Sequence, residues 1–214
     1  MPKDYGTLAP NQIRRRDRVV DDDAWIHQFL ETAPVGILAT NDGEQPFINS
    51  NLFVFDAAEN AIYLHTARVG RTRSNVDNNV DNGADGGEDT GIPACFHIMQ
   101  MGRLLPASRA LEFSIEYAGV TAFGNLSIVT EPEATKRCLQ LIMDKYAPHL
   151  RPDQDYEPAT ADDLKRTSVY KLAIDSWSGK RKVVDAGFPG AYYYSDVVKL
   201  DDEGMIRAEV ATTK

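Results

Sequence analysis

The stretch EYAGVTAFGNLSIVTEPEATKRCLQLIMDKYAP, residues 116–148, decides the fold class, because a strand pattern passes directly into a helix pattern. Residues 117–129 predict a strand. Thr130 as N-cap, Pro132 in the first turn and Glu133 reaching back predict the start of a helix. The helix then presents one apolar face and ends at a proline, the residues being Cys138, Leu139, Ile142, Tyr146 and Pro148.

Further strands are predicted on both sides of this stretch. The turn Asn41-Asp42-Gly43 joins two of them into a hairpin. The predicted strands are residues 35–40, 47–55, 61–65, 95–101 and 168–174, with residues 103–111 as a loop. Apolar residues at helical spacing predict a helix over residues 21–33: Ile26, Phe29, Leu30 and Ala33. About six strands, mostly in hairpins, with two helices predict a mainly β (α+β) fold, a small antiparallel barrel with peripheral helices.

The composition bounds the kind of protein and its partners. The 214 residues carry a net charge of −9 and a pI near 4.9, which argues against a nucleic-acid binder. No apolar run approaches the roughly 18 residues that a membrane span needs, and the N-terminus lacks the apolar region of a signal peptide. Cys95 and Cys138 lie too far apart for a CxxC motif. We therefore expect a cytoplasmic protein without nucleic-acid or membrane partners.

Two segments differ from the predicted barrel domain of residues 1–182. Residues 78–91, NNVDNGADGGEDTG, are polar and glycine-rich, which predicts a mobile acidic insertion. Residues 183–214 show little periodicity and predict a C-terminal extension that lies on a neighbouring surface. The insertion offers oxygen ligands at EF-hand spacing: Asp77, Asn79, Asp81 and Glu88. Asn82 occupies the position that should be glycine and no helix pair flanks the loop, which favours a solvated loop without metal.

Signatures of several common chemistries are absent from the sequence. It contains no Walker A loop, no GxGxxG after a strand, no HExxH and no GxSxG. The four histidines have no metal-ligand spacing: His27, His65, His97 and His149. No pattern supports a Cys–His nucleophilic pair, and free cysteines are commonly buried.

The segment HTARVGRTR, residues 65–73, carries the clearest candidate for ligand binding. It follows a strand, passes through Gly70 and enters a predicted helix start, within a stretch that contains arginines but no acid. The hydroxyls of Thr66 and Thr72, the fork of Arg71 and backbone amides near the glycine could together hold a phosphate. A small anionic ligand is one interpretation; solvated surface arginines are the other.

A second candidate segment, WSGKRK, residues 177–182, follows the last predicted strand. Trp177 could stack on a flat ring while the bases reach an anion. The alternative is a basic turn with a partly buried tryptophan.

The chain resembles the pyridoxamine 5'-phosphate oxidase-related proteins, and more closely their nitroimidazole-resistance branch, over about residues 14–182. The resemblance lies in the order and spacing of RRRDRVVDDDAWIHQFLETAPVGILATNDGEQPFINS, IYLHTARVGR, ACFHIMQMGRL, SIEYAGVTAFGNLSIVTEPEATKRCLQLIMDKYAP and DDLKRTSVYKLAIDSWSGKR. It implies a split β-barrel that forms a homodimer and binds FMN in a groove between subunits.

The resemblance also implies which residues contact the phosphate of FMN. His65 and Thr66 match the family's strand-end histidine and its neighbour. Gly70 and Arg71 match the glycine–arginine pair that helps hold the phosphate. The family usually continues with lysine, whereas this chain has Thr72 followed by Arg73, which is the candidate substitute.

Further matches concern the flavin ring. Three residues fall where the second strand passes the ring, at a place where the family often has proline: Asn49, Ser50 and Asn51. Lys180 and Arg181 match a late basic pair, which makes Trp177 a candidate for the edge of the ring.

The activity implied by the resemblance is two-electron transfer between a reductant such as NAD(P)H, the flavin and a small-molecule acceptor, with nitro-aromatic compounds as one candidate class. His65 is the candidate for donating a hydrogen bond or proton. No second phosphate-binding cluster supports the vitamin B6 oxidase reaction. Two alternatives stay open: a flavin binder without turnover, and a relative that holds haem or a deazaflavin instead of FMN.

Overall fold

The structure is a computed structural model that describes residues 4–43, 45–80 and 91–198. The strands are β1 (Val19–Val20), β2 (Gly36–Asp42), β3 (Gln45–Asn51), β4 (Phe53–Asp56), β5 (Ala61–Ala67), β6 (Ile92–Leu105), β7 (Ser114–Ile128) and β8 (Thr167–Lys182). The helices are α1 (Asp23–Thr32), α2 (Arg71–Val80), α3 (Pro132–Tyr146) and α4 (Ala161–Leu164). Within the described residues, every helix is too short or too polar to traverse a lipid bilayer.

The strands form one mainly antiparallel sheet in the order β3-β2-β6-β7-β8-β5-β4, with β1 paired to β8. The hairpin β2–β3 turns at Gly43, whose φ is +64°, a conformation that glycine adopts without strain. In its register Leu38 lies opposite Asn49 and Gly36 opposite Asn51. The predicted mainly β fold class with peripheral helices is confirmed. The described residues form a sheet of eight strands rather than about six.

Strand boundaries differ from the prediction in three places. Residues 47–55 are two strands rather than one, separated at Leu52; β3 pairs with β2, while β4 pairs with β5. The long strands β6 and β7 leave residues 106–113 between them, so the predicted loop at 103–111 begins three residues later and extends two residues further than expected. The last strand runs eight residues further than predicted, to Lys182, and it is held there by pairing with β1.

The two predicted helices form close to their expected ends. Asp22 caps α1 by accepting from the amides of Ala24 and Trp25. The prediction that Thr130 caps α3 is wrong: the carboxylate of Glu131 accepts from the amides of Glu133 and Ala134. Glutamate can take this position because its negative charge interacts favourably with the positive end of the helix dipole.

A third helix, α2, follows β5 and covers one end of β2. The amide of Asn75, which is fully buried, donates to Oγ1 of Thr40 at 2.8 Å. Because α2 continues to Val80, the predicted insertion at 78–91 begins later than expected. Residues 81–90 of that insertion, including Asp81 and Glu88, lie outside the described residues.

The described chain divides into two compact units. The first contains residues 1–99 and 119–180, and the second contains residues 100–118 and the chain from 181 onward. The core of the first unit is formed by large side chains that are fully buried, among them Phe53, Phe96, Leu126, Tyr170 and Leu172.

The second unit is organised around an ion pair between Arg103 and Glu116. The guanidinium donates to both carboxylate oxygens, from Nε at 2.8 Å and from Nη2 at 2.9 Å. Arg103 also donates to the carbonyls of residues 184–186, and the amide of Val184 donates to Glu116 at 2.9 Å. The beginning of the predicted C-terminal extension is therefore anchored through one ion pair.

We expect Glu116 to raise the unfolding temperature of the protein at neutral pH and to lose this effect in acid. Bonds from Arg103 and from the amide of Val184 lower the pKa of Glu116 from 4.5 to about 2. Its carboxylate therefore stabilises the fold above pH 4.5, and this stabilisation is lost as the pH falls towards 2. Circular-dichroism melts should show a lower unfolding temperature for Glu116→Gln at pH 7 and a smaller difference at acid pH. The exposed Glu112→Gln is the control; equal behaviour of both variants would contradict the expectation.

Candidate functional site

The segment after β5 forms the predicted helix start. Gly70 has a φ of +139°, and no atom lies within 4 Å of the position that a Cβ would occupy. Its carbonyl accepts from the amide of Ser74 at 3.0 Å, which makes Gly70 the residue that precedes the first turn of α2. That turn contains Arg71 and Arg73 and no acidic residue. Cations at the positive end of a helix repel the dipole, and an anion at this position would relieve the repulsion.

The side chains of this first turn have different environments. Thr72 is buried, so its hydroxyl does not face solvent. Arg73 is partly buried; its Nε donates to both carboxylate oxygens of Asp77 at 2.8 and 2.9 Å, and Nη1 donates to Ser168 at 3.1 Å. Arg71 is the exposed guanidinium of the turn. Arg71 is therefore the more accessible of the two arginines.

His65 and Thr66 point to opposite sides of β5, as neighbours in a strand do. The hydroxyl of Thr66 donates to the carbonyl of Ala67 at 2.8 Å and lies 3.2 Å from the hydroxyl of the buried Tyr170. His65 lines a cavity of about 530 Å³ beside α3. Burial lowers the pKa of His65 below 6.5, which favours the neutral imidazole at pH 7. The structure therefore does not bring these two neighbours to one site.

The three predicted ring contacts on β3 also alternate. Asn49 and Asn51 share one face, where Nδ2 of Asn49 donates to Oδ1 of Asn51 at 3.2 Å. Asn51 is buried, and its amide donates back to the carbonyl of Asn49 at 2.8 Å. Ser50 is exposed on the opposite face, where it lies across from Ile37 of β2.

The late basic segment lies within β8 rather than in a turn. Trp177 packs against α1: its indole donates to Asp23 at 3.1 Å, and its ring meets His27 edge-on at 5.2 Å between centroids. Lys180 is three positions further along the strand and therefore points to the other face. Arg181 is exposed and belongs to the second unit. Trp177 and Lys180 thus do not meet on one side of the sheet.

The structure brings two predicted site residues, Ser50 and Lys180, into one row with residues that the sequence prediction missed. A row of outward-facing side chains crosses the sheet of the first unit, here called the outer row: Ser50, Ile37, His97, Thr121 and Lys180. Ile37 lies directly opposite Ser50 on one side and His97 on the other. Nδ1 of His97 lies 2.9 Å from Oγ1 of Thr121. Burial lowers the pKa of His97, a hydrogen bond with the backbone of Val120 acts in the opposite direction, and the charge of Lys180 adds to the lowering.

Strand alternation assigns the outer row to the face away from the core. Phe96 and Ile98, on either side of His97, are buried, as are Val120 and Ala122 on either side of Thr121. The stretch ACFHIM contains this signal, because a polar residue between two buried ones in a strand faces outward. Within the described residues no group of three or more His, Cys, Asp or Glu is placed to hold a metal ion.

The same outer face carries exposed apolar side chains from β2, β3 and β6. Their exposed fractions are large, at 36% for Ile37, 65% for Ile48 and 61% for Met99, and Val35, directly before β2, is 49% exposed. A cluster of exposed apolar side chains on one face is typical of an interaction surface.

Comparisons with known proteins agree on one family and one fold. The family model for pyridoxamine 5'-phosphate oxidase matches residues 22–181. The flavocytochrome Anf3 from Azotobacter vinelandii has a TM-score of 0.66 and 17% identity, with 95% of this chain and 92% of that chain covered. A FAD and haem binding protein from Mycobacterium smegmatis has a TM-score of 0.64 and 19% identity, with 78% and 74% covered.

A third structure is that of a candidate 5-nitroimidazole antibiotic resistance protein from Bacteroides thetaiotaomicron, with a TM-score of 0.58 and 16% identity. The alignment covers 76% of this chain and 86% of that chain. Among curated proteins no sequence matches the chain significantly. At these identities the structural likeness shows a shared fold.

Proposed function

Because this chain belongs to the pyridoxamine 5'-phosphate oxidase family, we propose that it binds FMN and is an FMN-dependent oxidoreductase with a small-molecule acceptor. The observation that carries the proposal is the first turn of α2. Gly70 leaves open space before the turn, and the exposed guanidinium of Arg71 stands within a turn that has no acidic residue. Backbone amides and a guanidinium fork are the donors that a phosphate monoester prefers.

The residues present fit a flavin beyond its phosphate. A flavin ring needs an accessible surface with hydrogen-bonding groups at its edge. The outer row offers Ser50 and His97 on either side of the apolar Ile37, and Lys180 further along the row. A bound FMN would supply two-electron redox chemistry, while the protein supplies position and electrostatics. His65 keeps its role as candidate proton donor only if the acceptor reaches the cavity beside α3.

The direct test is the absorption spectrum of the purified protein, with the mass of the released small molecule. We expect a yellow protein that releases about one FMN per chain, or a colourless one that takes up added FMN. Oxidation of NADH or NADPH is then followed with and without a nitro-aromatic acceptor. Binding without turnover would favour the alternative of a flavin-binding sensor or storage protein. Failure to take up FMN would contradict the proposal.

Haem is the second candidate ligand, and the environment of His65 favours it. His65 borders a cavity of about 530 Å³, and its neutral imidazole would be the residue that holds a haem iron there. Leu139, Ile142 and Met143 give this cavity apolar walls, and Lys136, which donates to Glu133 at 2.8 Å, also lines it. One of the compared structures is that of a FAD and haem binding protein. A Soret band that disappears in His65→Ala would support this candidate.

We also propose that the protein forms a homodimer through the exposed apolar side chains of β2, β3 and β6. The family resemblance implies a dimer with the flavin between subunits, and these side chains adjoin the outer row.

Both cysteines are free thiols, which accords with a location in the reducing cytoplasm.

Replacing Ile48 by aspartate should weaken this dimer. Ile48 is 65% exposed, and a carboxylate at its position would have to be desolvated in an interface without a partner. Light scattering after size-exclusion chromatography should give a dimer mass for the unchanged protein and a monomer mass for Ile48→Asp. Leu111→Asp is the control, because Leu111 is 92% exposed but belongs to the second unit. A monomeric unchanged protein would contradict the proposed dimer.

A further inference from the structure

His97 has a central position among residues that were assigned to the flavin on other grounds. Ser50 and Lys180 are candidate flavin contacts from the family resemblance, which does not assign His97. In the structure, the outer row places His97 between them: Ile37 pairs with both Ser50 and His97, and Lys180 is close enough to lower the pKa of His97. A planar ring that lies along this row between Ile37 and Lys180 covers the imidazole.

The surroundings of His97 leave its ring accessible on the outer face. Gly119 of β7 lies beside it, and a Cβ there would be 3.4 Å from Cε1 of His97. Glycine therefore leaves open the space that a side chain would fill next to the imidazole. On the other side, Ile37 provides an apolar surface on which a planar ring can lie.

The imidazole is also oriented. The contact of 2.9 Å between Nδ1 and Oγ1 of Thr121 restrains rotation of the ring, so its other edge has a defined direction. A neutral imidazole has one donor and one acceptor nitrogen, and the edge of a flavin ring carries both carbonyl oxygens and N–H groups. Neither Ile37 nor Ser50 could replace this combination of a flat surface and a hydrogen-bonding edge.

We infer that His97 is a contact residue for the flavin ring, oriented by Thr121. This inference rests on the proposed binding of FMN. It assigns the ring of the cofactor to the outer row and the phosphate to the first turn of α2. Loss of the imidazole therefore lowers affinity for any flavin that has the ring, whether or not it has a phosphate.

The test is fluorescence titration of the full chain with FMN and with riboflavin, which lacks the phosphate. We expect His97→Ala to weaken the binding of FMN and of riboflavin by the same factor. The factor should be about 10-fold, because the variant loses one hydrogen bond to the flavin and the contact of the imidazole with the flavin ring. His97→Gln, which keeps a donor and an acceptor, should recover part of the affinity. The visible absorption band of the bound flavin should shift in His97→Ala. His149→Ala, at an exposed histidine beyond α3, is the matched control and should bind like the unchanged protein.

Each other outcome overturns a defined statement. If the unchanged protein binds FMN and His97→Ala binds it equally well, the assignment of His97 is wrong and the proposed function stands. If His97→Ala weakens FMN binding and leaves riboflavin binding unchanged, His97 does not contact the ring. If the unchanged protein binds neither flavin, both the function and this inference are wrong. Should His97→Ala fail to fold, the titration of His97→Gln decides: affinity equal to that of the unchanged protein for both flavins, with no shift of the absorption band, overturns the inference.

Discussion

Replacing Arg71 by alanine lowers the affinity of the protein for FMN by about 50-fold and leaves its affinity for riboflavin unchanged. A hydrogen bond to a charged group contributes about 1.5–3 kcal/mol, and a guanidinium can make two of them to one phosphate. Arg71 is exposed in the first turn of α2, whereas Arg73 is partly buried. The effect should therefore come from Arg71 and be confined to ligands that carry the phosphate.

Two variants make this titration specific. Arg71→Lys keeps the charge and loses the planar guanidinium. Its affinity for FMN should therefore lie between that of the unchanged protein and that of Arg71→Ala. Arg68→Ala removes an exposed arginine from the same segment, but before the helix begins, and should have little effect. If Arg68→Ala and Arg71→Ala weaken FMN binding equally, the phosphate responds to local positive charge rather than to a bond from Arg71. Unchanged FMN affinity in Arg71→Ala would contradict the assignment of the phosphate site.

Replacing Gly124 by alanine should cost about 3 kcal/mol of unfolding free energy, the upper end of the effect of overpacking. Gly124 lies in β7 where β8 passes closest, and a Cβ there would be 1.8 Å from the carbonyl oxygen of Ala173. This atom belongs to the backbone, so no side-chain rotation can relieve the overlap. The two strands would have to separate next to the hydrogen bond of 3.1 Å between Asn125 and Asp175.

Urea unfolding followed by circular dichroism measures this cost. Gly187→Ala is the control. No atom lies within 4 Å of the position that its Cβ would occupy, and its φ lies outside the left-handed region, so alanine fits its backbone conformation. Its stability should match that of the unchanged protein. A loss of less than about 1 kcal/mol for Gly124→Ala would mean that β7 and β8 separate easily at this point.

The sequence alone determined the features that depend on neighbouring residues. The mainly β class, the hairpin at Gly43, helices α1 and α3 and the helix start after Gly70 were all predicted, because strand alternation, helical spacing and turn residues are local. The pairing of Arg73 with Asp77 is four residues apart on a helix and could have been predicted in the same way. Arg73 stays the candidate substitute for the family's lysine, with Asp77 as its neighbour.

Only the tertiary structure decided which of these elements meet. The division of residues 47–55 at Leu52 and the length of β8 depend on their partners β5 and β1, which the local pattern does not specify. The direction of a strand side chain was readable in the sequence, but not which strands lie side by side. Ser50, His97 and Lys180 come from distant parts of the chain and share one row because β3, β2, β6, β7 and β8 are adjacent in the sheet. Pairing between distant strands is set by the whole core rather than by any one segment, and for that reason His97 emerged only from the fold.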